Sequence, residues 1–144
     1  LEIPPGEPSY RSAASYTLPK EIIMVGVVPH MHLLGKSMKV TATKPDGRVV
    51  PLIDIAHWNF NWQDEYYYER PFTLPAGTRL HAEALYDNSE NNPSNPNSPP
   101  KPVSYGDGTL DEMMFCFFLF SAENVEDVIH VTLDNLSHDM KQPR

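Results

Sequence analysis

The sequence predicts an all-β fold, an antiparallel sandwich or jelly roll, and three observations support that prediction. The chain has 15 prolines among 144 residues, which argues against long helices. Short β-branched or aromatic stretches are separated by turn sequences such as Pro-Asp-Gly and Pro-Ala-Gly. Apolar and polar residues alternate along the stretch from 78 to 87, as in a strand with one buried face. A chain of this length suits a single domain.

The first part of the chain predicts an extended lead-in and three strands. Residues 1–20 are rich in Pro and Ser and are expected to be extended. Residues 21–28 are apolar and β-branched, which indicates a buried strand. Residues 37–43 and 48–55 are expected to pair as a hairpin, because a Pro-Asp-Gly turn lies between them.

The middle of the chain predicts further strands and one long loop. Residues 58–69 are aromatic and fit one strand or two, and residues 74–77 form a turn before the alternating strand. Residues 87–108 are a long polar loop rich in Asn and Pro.

The last part of the chain predicts two more strands. Residues 113–120 read as a strand that is apolar on both faces, and residues 128–136 as a final strand. A short helix near residues 121–128 is the alternative for part of this region. Residues 1–144 are therefore expected to be one domain, and the start at Leu-Glu-Ile-Pro-Pro suggests a piece of a longer or processed protein.

Composition excludes several classes of function. The net charge is −8, and no cluster of Lys and Arg is present, which argues against nucleic acid and anionic membranes as partners. No apolar run is long enough to span a membrane. Cys116 is the only cysteine, so an internal disulfide and a multi-cysteine zinc site are both impossible.

Two histidines, His30 and His32, lie two residues apart at the end of an apolar run. Residues i and i+2 of a strand point to the same side, so these two imidazoles can face one metal ion. The alternative is a pair of ordinary surface histidines. A cupin site is disfavoured because Lys36 and Ser37 occupy the positions where a ligand glutamate is expected.

The sequence alone does not identify the third ligand that would bind a metal ion together with His30 and His32. A blue-copper site needs a histidine close behind its cysteine, and none follows Cys116 until His130. A zinc site would need His57, His81 or a carboxylate. A copper site would accept a thioether, which Met113 or Met114 offers.

Three motifs occur in an order and spacing that resemble one family. They are Ile-Pro-Pro-Gly-Glu at 3–7, His-Met-His-Leu-Leu-Gly-Lys at 30–36 and Asp-Glu-Met at 111–113. The strand–turn–strand sequence at 66–86 is also similar. From residue 3 to about residue 121, the chain resembles the C-terminal domain of the copper type II, ascorbate-dependent monooxygenases. That family includes peptidylglycine α-hydroxylating monooxygenase and dopamine β-hydroxylase.

The resemblance implies a jelly-roll sandwich of eight or nine strands and one copper ion, held by His30, His32 and Met113. It implies that this copper activates dioxygen to hydroxylate a small substrate. The electrons would come from ascorbate through a second copper, held by three histidines of a preceding domain. The alternative is a non-catalytic copper-binding, electron-transfer or assembly module of a larger redox protein. A secreted or periplasmic location is expected for either.

Departures from the family pattern argue against peptide amidation. The amidating enzyme has an arginine two residues before its first ligand histidine, where this chain has Val28. It has an asparagine and a tyrosine after the ligand methionine, where this chain has Phe115 and Phe117. A peptide carboxylate would lose its polar partners here.

The strand register and the remaining histidines give two further expectations. Phe115, Phe117 and Leu119 are expected to share the face of Met113, with Cys116 on the other face. No second three-histidine site is expected, because the other histidines lie singly at His57, His81, His130 and His138.

Overall fold

A computed structural model describes residues 1–140 and has nine strands and one helix. The element bounds are β1 Glu2–Ile3, β2 Tyr10–Thr17, β3 Ile22–His30, β4 Gly35–Thr43, β5 Val49–Ile55, β6 Tyr66–Leu74, β7 Arg79–Tyr86, β8 Val103–Ser104, β9 Phe115–Ser121 and α1 Val125–Asp139.

The strands form an all-β sandwich, as the sequence predicted. One sheet has four strands in the order β2-β7-β4-β5, a second has three in the order β6-β3-β9, and β1 pairs with β8. All of these pairings are antiparallel. Strand β3 is central in its sheet, so the end of this strand is held from both sides.

A single apolar core joins the two larger sheets. It takes Met24 and Val27 from β3, Val40 from β4, and Leu80 and Ala84 from β7, all at most 3 % exposed. The predicted alternation along β7 is confirmed, since its even-numbered residues face this core. Burial of such apolar surface is the main favourable term for a domain of this kind.

The predicted hairpin and the predicted Pro-Ala-Gly turn are both confirmed. Strands β4 and β5 are antiparallel, and the Gly47 N–H donates to the carbonyl of Lys44 at 2.9 Å. Gly47 and Gly77 have φ angles of +85° and +80°, which other residues adopt only with strain. These glycines are therefore required by the turns themselves.

Two predicted segments are organised differently from a simple strand or loop. Only residues 66–69 of the aromatic stretch lie in a strand, and residues 58–65 are irregular. The lead-in contains β1 and β2, and β2 forms an edge of the four-stranded sheet.

The final strand expected at residues 128–136 is wrong, because this segment belongs to helix α1. Asn124 caps the helix by accepting a hydrogen bond from the Asp127 N–H at 2.9 Å, and Glu126 and Asp127 lie in the first turn. These groups offset the free N–H groups and the dipole of the helix start. The local cap therefore outweighs the β preference of the Val and Thr residues. No helix within residues 1–140 is long and apolar enough to cross a membrane.

The polar loop after β7 is held together by its own asparagines. The amide of Asn88 is fully buried and donates to the carbonyls of Ile3, Pro4 and Lys101. Asn95 in turn donates to the Asn88 side-chain oxygen at 3.0 Å. This loop has a defined shape that depends on side-chain hydrogen bonds rather than on a core.

Cys116 lies on β9 and packs against the core. Burial raises the pKa of its thiol to about 12, from an ordinary value of 9.0. A thiol with this pKa is neither a ready nucleophile nor a ready metal ligand at neutral pH.

We expect Cys116 in the folded protein to resist thiol reagents at pH 8 and to react rapidly once the chain is unfolded in urea. Because the pKa is raised on folding, the protonated thiol contributes to the free energy of unfolding below about pH 9. This contribution is lost as the pH rises toward 12. A colorimetric thiol assay with and without urea measures the first effect. Equal rates in both conditions would contradict it.

Candidate metal centre

The two site histidines lie where β3 ends. His30 is the last residue of the strand, and His32 follows in a turn fixed by the buried side chains of Met31 and Leu34. The two imidazole centroids are 5.0 Å apart, and the rings are nearly perpendicular at 82°. His32 is 5 % exposed, while His30 is half-buried. The strand end and the turn after it therefore bring the two rings together, although His32 lies outside the strand to which the i, i+2 rule applies.

Each imidazole uses its Nδ1 atom for a hydrogen bond within the protein. His30 Nδ1 lies 2.6 Å from Oε1 of Gln63, and His32 Nδ1 lies 2.9 Å from the Asp111 carbonyl oxygen. Both oxygens can only accept, so each Nδ1 carries the proton. The Nε2 lone pairs are then directed away from these bonds, and within residues 1–140 no hydrogen bond involves them. A histidine that binds a metal ion through Nε2 needs this tautomer.

The orientation of the Gln63 amide is fixed by a second contact. Its Nε2 atom donates to the carbonyl of Phe60 at 2.8 Å, which leaves Oε1 facing His30. The ring of Phe60 also meets the ring of His32 edge-on, with centroids 6.0 Å apart. The irregular segment before β6 therefore supports both histidines.

Glu112 joins the histidine turn to the methionine segment. Its carboxylate is fully buried and accepts hydrogen bonds from the backbone N–H groups of His32 at 3.0 Å and Leu34 at 2.6 Å. It also accepts from the Met113 N–H at 3.3 Å. Burial raises the pKa of Glu112, and the backbone donors oppose that rise. The bonds from His32 and Leu34 bring two segments about eighty residues apart in sequence into contact.

Met113 is 7 % exposed and lies just before β9, which begins at Phe115. The phenol of Tyr86 donates to the Met113 carbonyl at 2.9 Å, so the backbone here is fixed from β7 as well. Met114 instead packs against the apolar core. The two adjacent methionines therefore have different surroundings.

An apolar surface adjoins His30 on the outer side of the three-stranded sheet. His30 pairs with Phe115 across β3 and β9, and Val28 pairs with Phe117. The two phenylalanine rings stack with centroids 5.6 Å apart, and Phe117 is 56 % exposed. None of Val28, Phe115 and Phe117 offers a polar side-chain group. In the amidating enzyme of the family, the corresponding positions carry the polar groups expected to bind a peptide carboxylate.

Gly35, in the histidine motif, makes room for an aromatic ring. A Cβ atom added at Gly35 would lie 2.6 Å from Cδ1 of Trp58. The Trp58 indole N–H donates to the carbonyl of His32 at 3.1 Å, and its backbone N–H donates to Lys36 at 2.9 Å. The glycine is thus needed for close approach, not for an unusual backbone angle.

The other histidines do not join this pair. His81 lies 2.8 Å from the Ser15 hydroxyl in the four-stranded sheet, and His130 lies on α1. Within residues 1–140, no group of three or more His, Cys, Asp or Glu side chains is placed to hold a metal ion. The zinc alternative with His57, His81 or a carboxylate therefore finds no support in this part of the chain.

Sequence reasoning found the histidine pair but missed the residues that orient it. Asp111 acts through its backbone carbonyl and Gln63 through an isolated amide, so neither has a signal in the sequence. Glu112 lies in the Asp-Glu-Met motif, but the motif does not show that its carboxylate binds the backbone of the histidine turn. Trp58 belonged to an aromatic stretch that fitted a strand.

These observations define an antiparallel β-sandwich that presents two imidazoles near a buried methionine. The family model of the copper type II ascorbate-dependent monooxygenase, C-terminal domain, matches residues 9–128, and the chain belongs to that family. Copper and ascorbate dependence and monooxygenase chemistry are properties of the family. No curated protein matches the chain.

We expect Glu112→Ala to destabilise the metal-free domain by about 2–4 kcal/mol, because buried N–H groups left unpaired cost about 1–3 kcal/mol each. Glu112→Gln should lose less, since it keeps one acceptor oxygen. Urea unfolding monitored by circular dichroism measures both. The control is Glu69→Ala, an exposed position on β6. A loss for Glu112→Ala no larger than for the control would show that the carboxylate does not hold the two segments.

Proposed function

We propose that this domain binds one copper ion through Nε2 of His30, Nε2 of His32 and the sulfur of Met113, and that it is the oxygen-activating half of a copper monooxygenase. The observation that carries the proposal is the pairing of both Nδ1 atoms with acceptor oxygens. That pairing leaves two Nε2 atoms of neighbouring rings for one ion. Membership of the copper family supports the choice of metal.

The donor set suits copper better than zinc or magnesium. Imidazole nitrogen binds copper in either oxidation state, and a neutral thioether favours Cu(I). Met113 is the methionine next to Glu112, whose carboxylate is bonded to the His32 backbone. Met114 is partly buried and packs against the core, so Met113 is the proposed ligand.

The reaction class follows from the family. When bound, copper would supply one-electron chemistry and a position for dioxygen. The overall reaction takes a substrate C–H bond, one O₂, two electrons and two protons, and it yields a C–OH group and water. The protein's own contribution is to hold the two imidazoles in place by hydrogen bonds to Gln63 and to the Asp111 carbonyl.

The substrate should lack a carboxylate that needs an ionic partner. The surface next to His30 carries Val28 and Phe117, and a charged group placed there would lose hydration without compensation. The proposed substrate is therefore a small molecule that presents an uncharged C–H group to the site.

The electrons must come from another domain or another protein. One copper ion delivers one electron at a time. The remaining histidines of residues 1–140 lie between β5 and β6, on β7 and on α1, and they take part in no group of three metal-binding side chains. Ascorbate would act through that partner. A secreted or periplasmic location is proposed with this chemistry.

We expect one Cu(I) per chain and much weaker Cu(I) binding after His30→Ala or Met113→Ala. Loss of the thioether should affect Cu(I) more than Cu(II), because soft sulfur prefers the reduced ion. Competition with a chromogenic Cu(I) chelator measures the affinity. Matched controls are Met114→Ala, which should lower stability by about 2–5 kcal/mol through its packing, and His130→Ala on the helix, which should bind like wild type.

X-ray absorption spectroscopy of the Cu(I) form identifies the sulfur directly. One sulfur scatterer should be present in wild type and absent in Met113→Ala alone. Sulfur that persists in that variant, or that vanishes in Met114→Ala, would contradict the proposed ligand. Two equally tight copper ions per chain would contradict the stoichiometry.

We expect the 144-residue chain alone to give no steady turnover with ascorbate and oxygen, because a second one-electron centre is missing from the proposed site. A pre-reduced Cu(I) sample should still react with oxygen in a stopped-flow experiment. Sustained oxygen uptake coupled to product formation by the pure chain would overturn the need for a partner. A Cu(I) form that is inert to oxygen would favour an electron-transfer or assembly role.

A further inference from the structure

Two cavities lie side by side on the irregular segment that supports the histidines, with Trp58 in the walls of both. The larger has a volume of about 460 Å³ and the smaller about 210 Å³. Together they form what we call the tryptophan cleft, and neither is lined by His30, His32 or Met113. Its walls include Trp58, Asn59, Asn61, Trp62, Tyr66 and Ser94.

The cleft offers exposed aromatic faces. Trp62 is 72 % exposed and Tyr66 is 36 % exposed, although large aromatic side chains usually contribute to a core. Both line the smaller cavity beside Trp58. An exposed indole at a concave surface is expected where a ring of a ligand packs against it.

Apart from His57, the polar side chains of the cleft are amides and hydroxyls. Asn59, Asn61 and Ser94 line the larger cavity, and no Asp, Glu, Lys or Arg lines either one. Within residues 1–140, no side-chain hydrogen bond engages the amide of Asn61 or the hydroxyl of Ser94. Amides and hydroxyls both donate and accept, which matches the hydroxyl groups of an uncharged ligand.

The segment is fixed before any ligand arrives. Asn59 accepts from the Asn61 N–H at 3.0 Å, and the Trp62 N–H donates to the Asn59 carbonyl at 2.9 Å. Trp58 is bonded to His32 and Lys36. A pre-formed surface of this kind loses little entropy on binding.

We propose that the tryptophan cleft binds a neutral saccharide, with a sugar ring against Trp62 and its hydroxyls on Asn59, Asn61 and Ser94. A sugar ring has a C–H face for the indole and hydroxyls at its edge, whereas a cation would find no carboxylate and an acid would find no Lys or Arg. The binding does not need copper. That the bound sugar is the substrate rests on the proposed function, and Gln63, bonded to His30, joins the cleft segment to the metal centre.

The test is isothermal titration of the metal-free full chain, kept in a chelator, with cellotetraose, xylotetraose, mannotetraose and chitotetraose. At least one should bind. Trp62→Ala should weaken that binding by about tenfold or more, equal to about 1.4 kcal/mol, and Asn61→Ala should weaken it as well. Trp62→Phe should restore part of it. The control is Tyr67→Ala, an aromatic residue that is 63 % exposed but lines neither cavity, and it should bind like wild type.

Several outcomes would overturn the saccharide site. They are the absence of binding to all four sugars, equal losses for Trp62→Ala and Tyr67→Ala, or stronger binding of tetramethylammonium, phenol or an acidic oligosaccharide. Copper affinity measured on the same samples separates the two proposals. Sugar binding without copper binding would support the saccharide site and contradict the proposed function. Copper binding without sugar binding would support the proposed function and contradict the saccharide site.

Discussion

The arrangement of the candidate centre depends on the buried carboxylate of Glu112. Its oxygens accept hydrogen bonds from the N–H groups of His32 and Leu34, in the turn after β3, and from the N–H group of Met113. One side chain therefore fixes the position of the histidine turn relative to the methionine segment. Such bonds are strong because the carboxylate is removed from water, and leaving any of the donors unpaired would be costly. The arrangement of the candidate metal centre therefore depends on Glu112, which is not among the proposed ligands.

A second set of contacts links the histidines to the aromatic segment. Gln63 and Phe60 approach His30 and His32, and Trp58 is bonded to the backbone of the same turn. The segment has no regular structure, yet its shape is set by these bonds and by the space that Gly35 leaves. Orientation of metal-binding rings by such outer contacts is general in metalloproteins. Here the same contacts also shape the tryptophan cleft.

The errors in the sequence reading have physical causes. Residues 128–136 carry Val, Ile and Thr and were expected to form a strand, but Asn124 caps a helix just before them. Val131 is the only helix residue that is buried, so the segment lies on the body of the domain as a helix with many exposed apolar positions. The aromatic residues 58–65 also fitted a strand, and tertiary contacts of Trp58 override that preference.

The sequence by itself determined the all-β class and the β4–β5 hairpin, because alternation and turn glycines are local properties. The spacing of His30 and His32 also identified them as a candidate pair. The resemblance of the Asp-Glu-Met motif to that of the copper monooxygenase family identified Met113 as the expected third ligand. Only the tertiary structure decided that Glu112 is buried under the histidine turn, and that Gln63 and the Asp111 carbonyl fix the imidazole tautomers. Those contacts join residues 33 and 79 positions apart. No local pattern encodes them, because they depend on the pairing of β3 with β6 and β9, which come from distant parts of the chain.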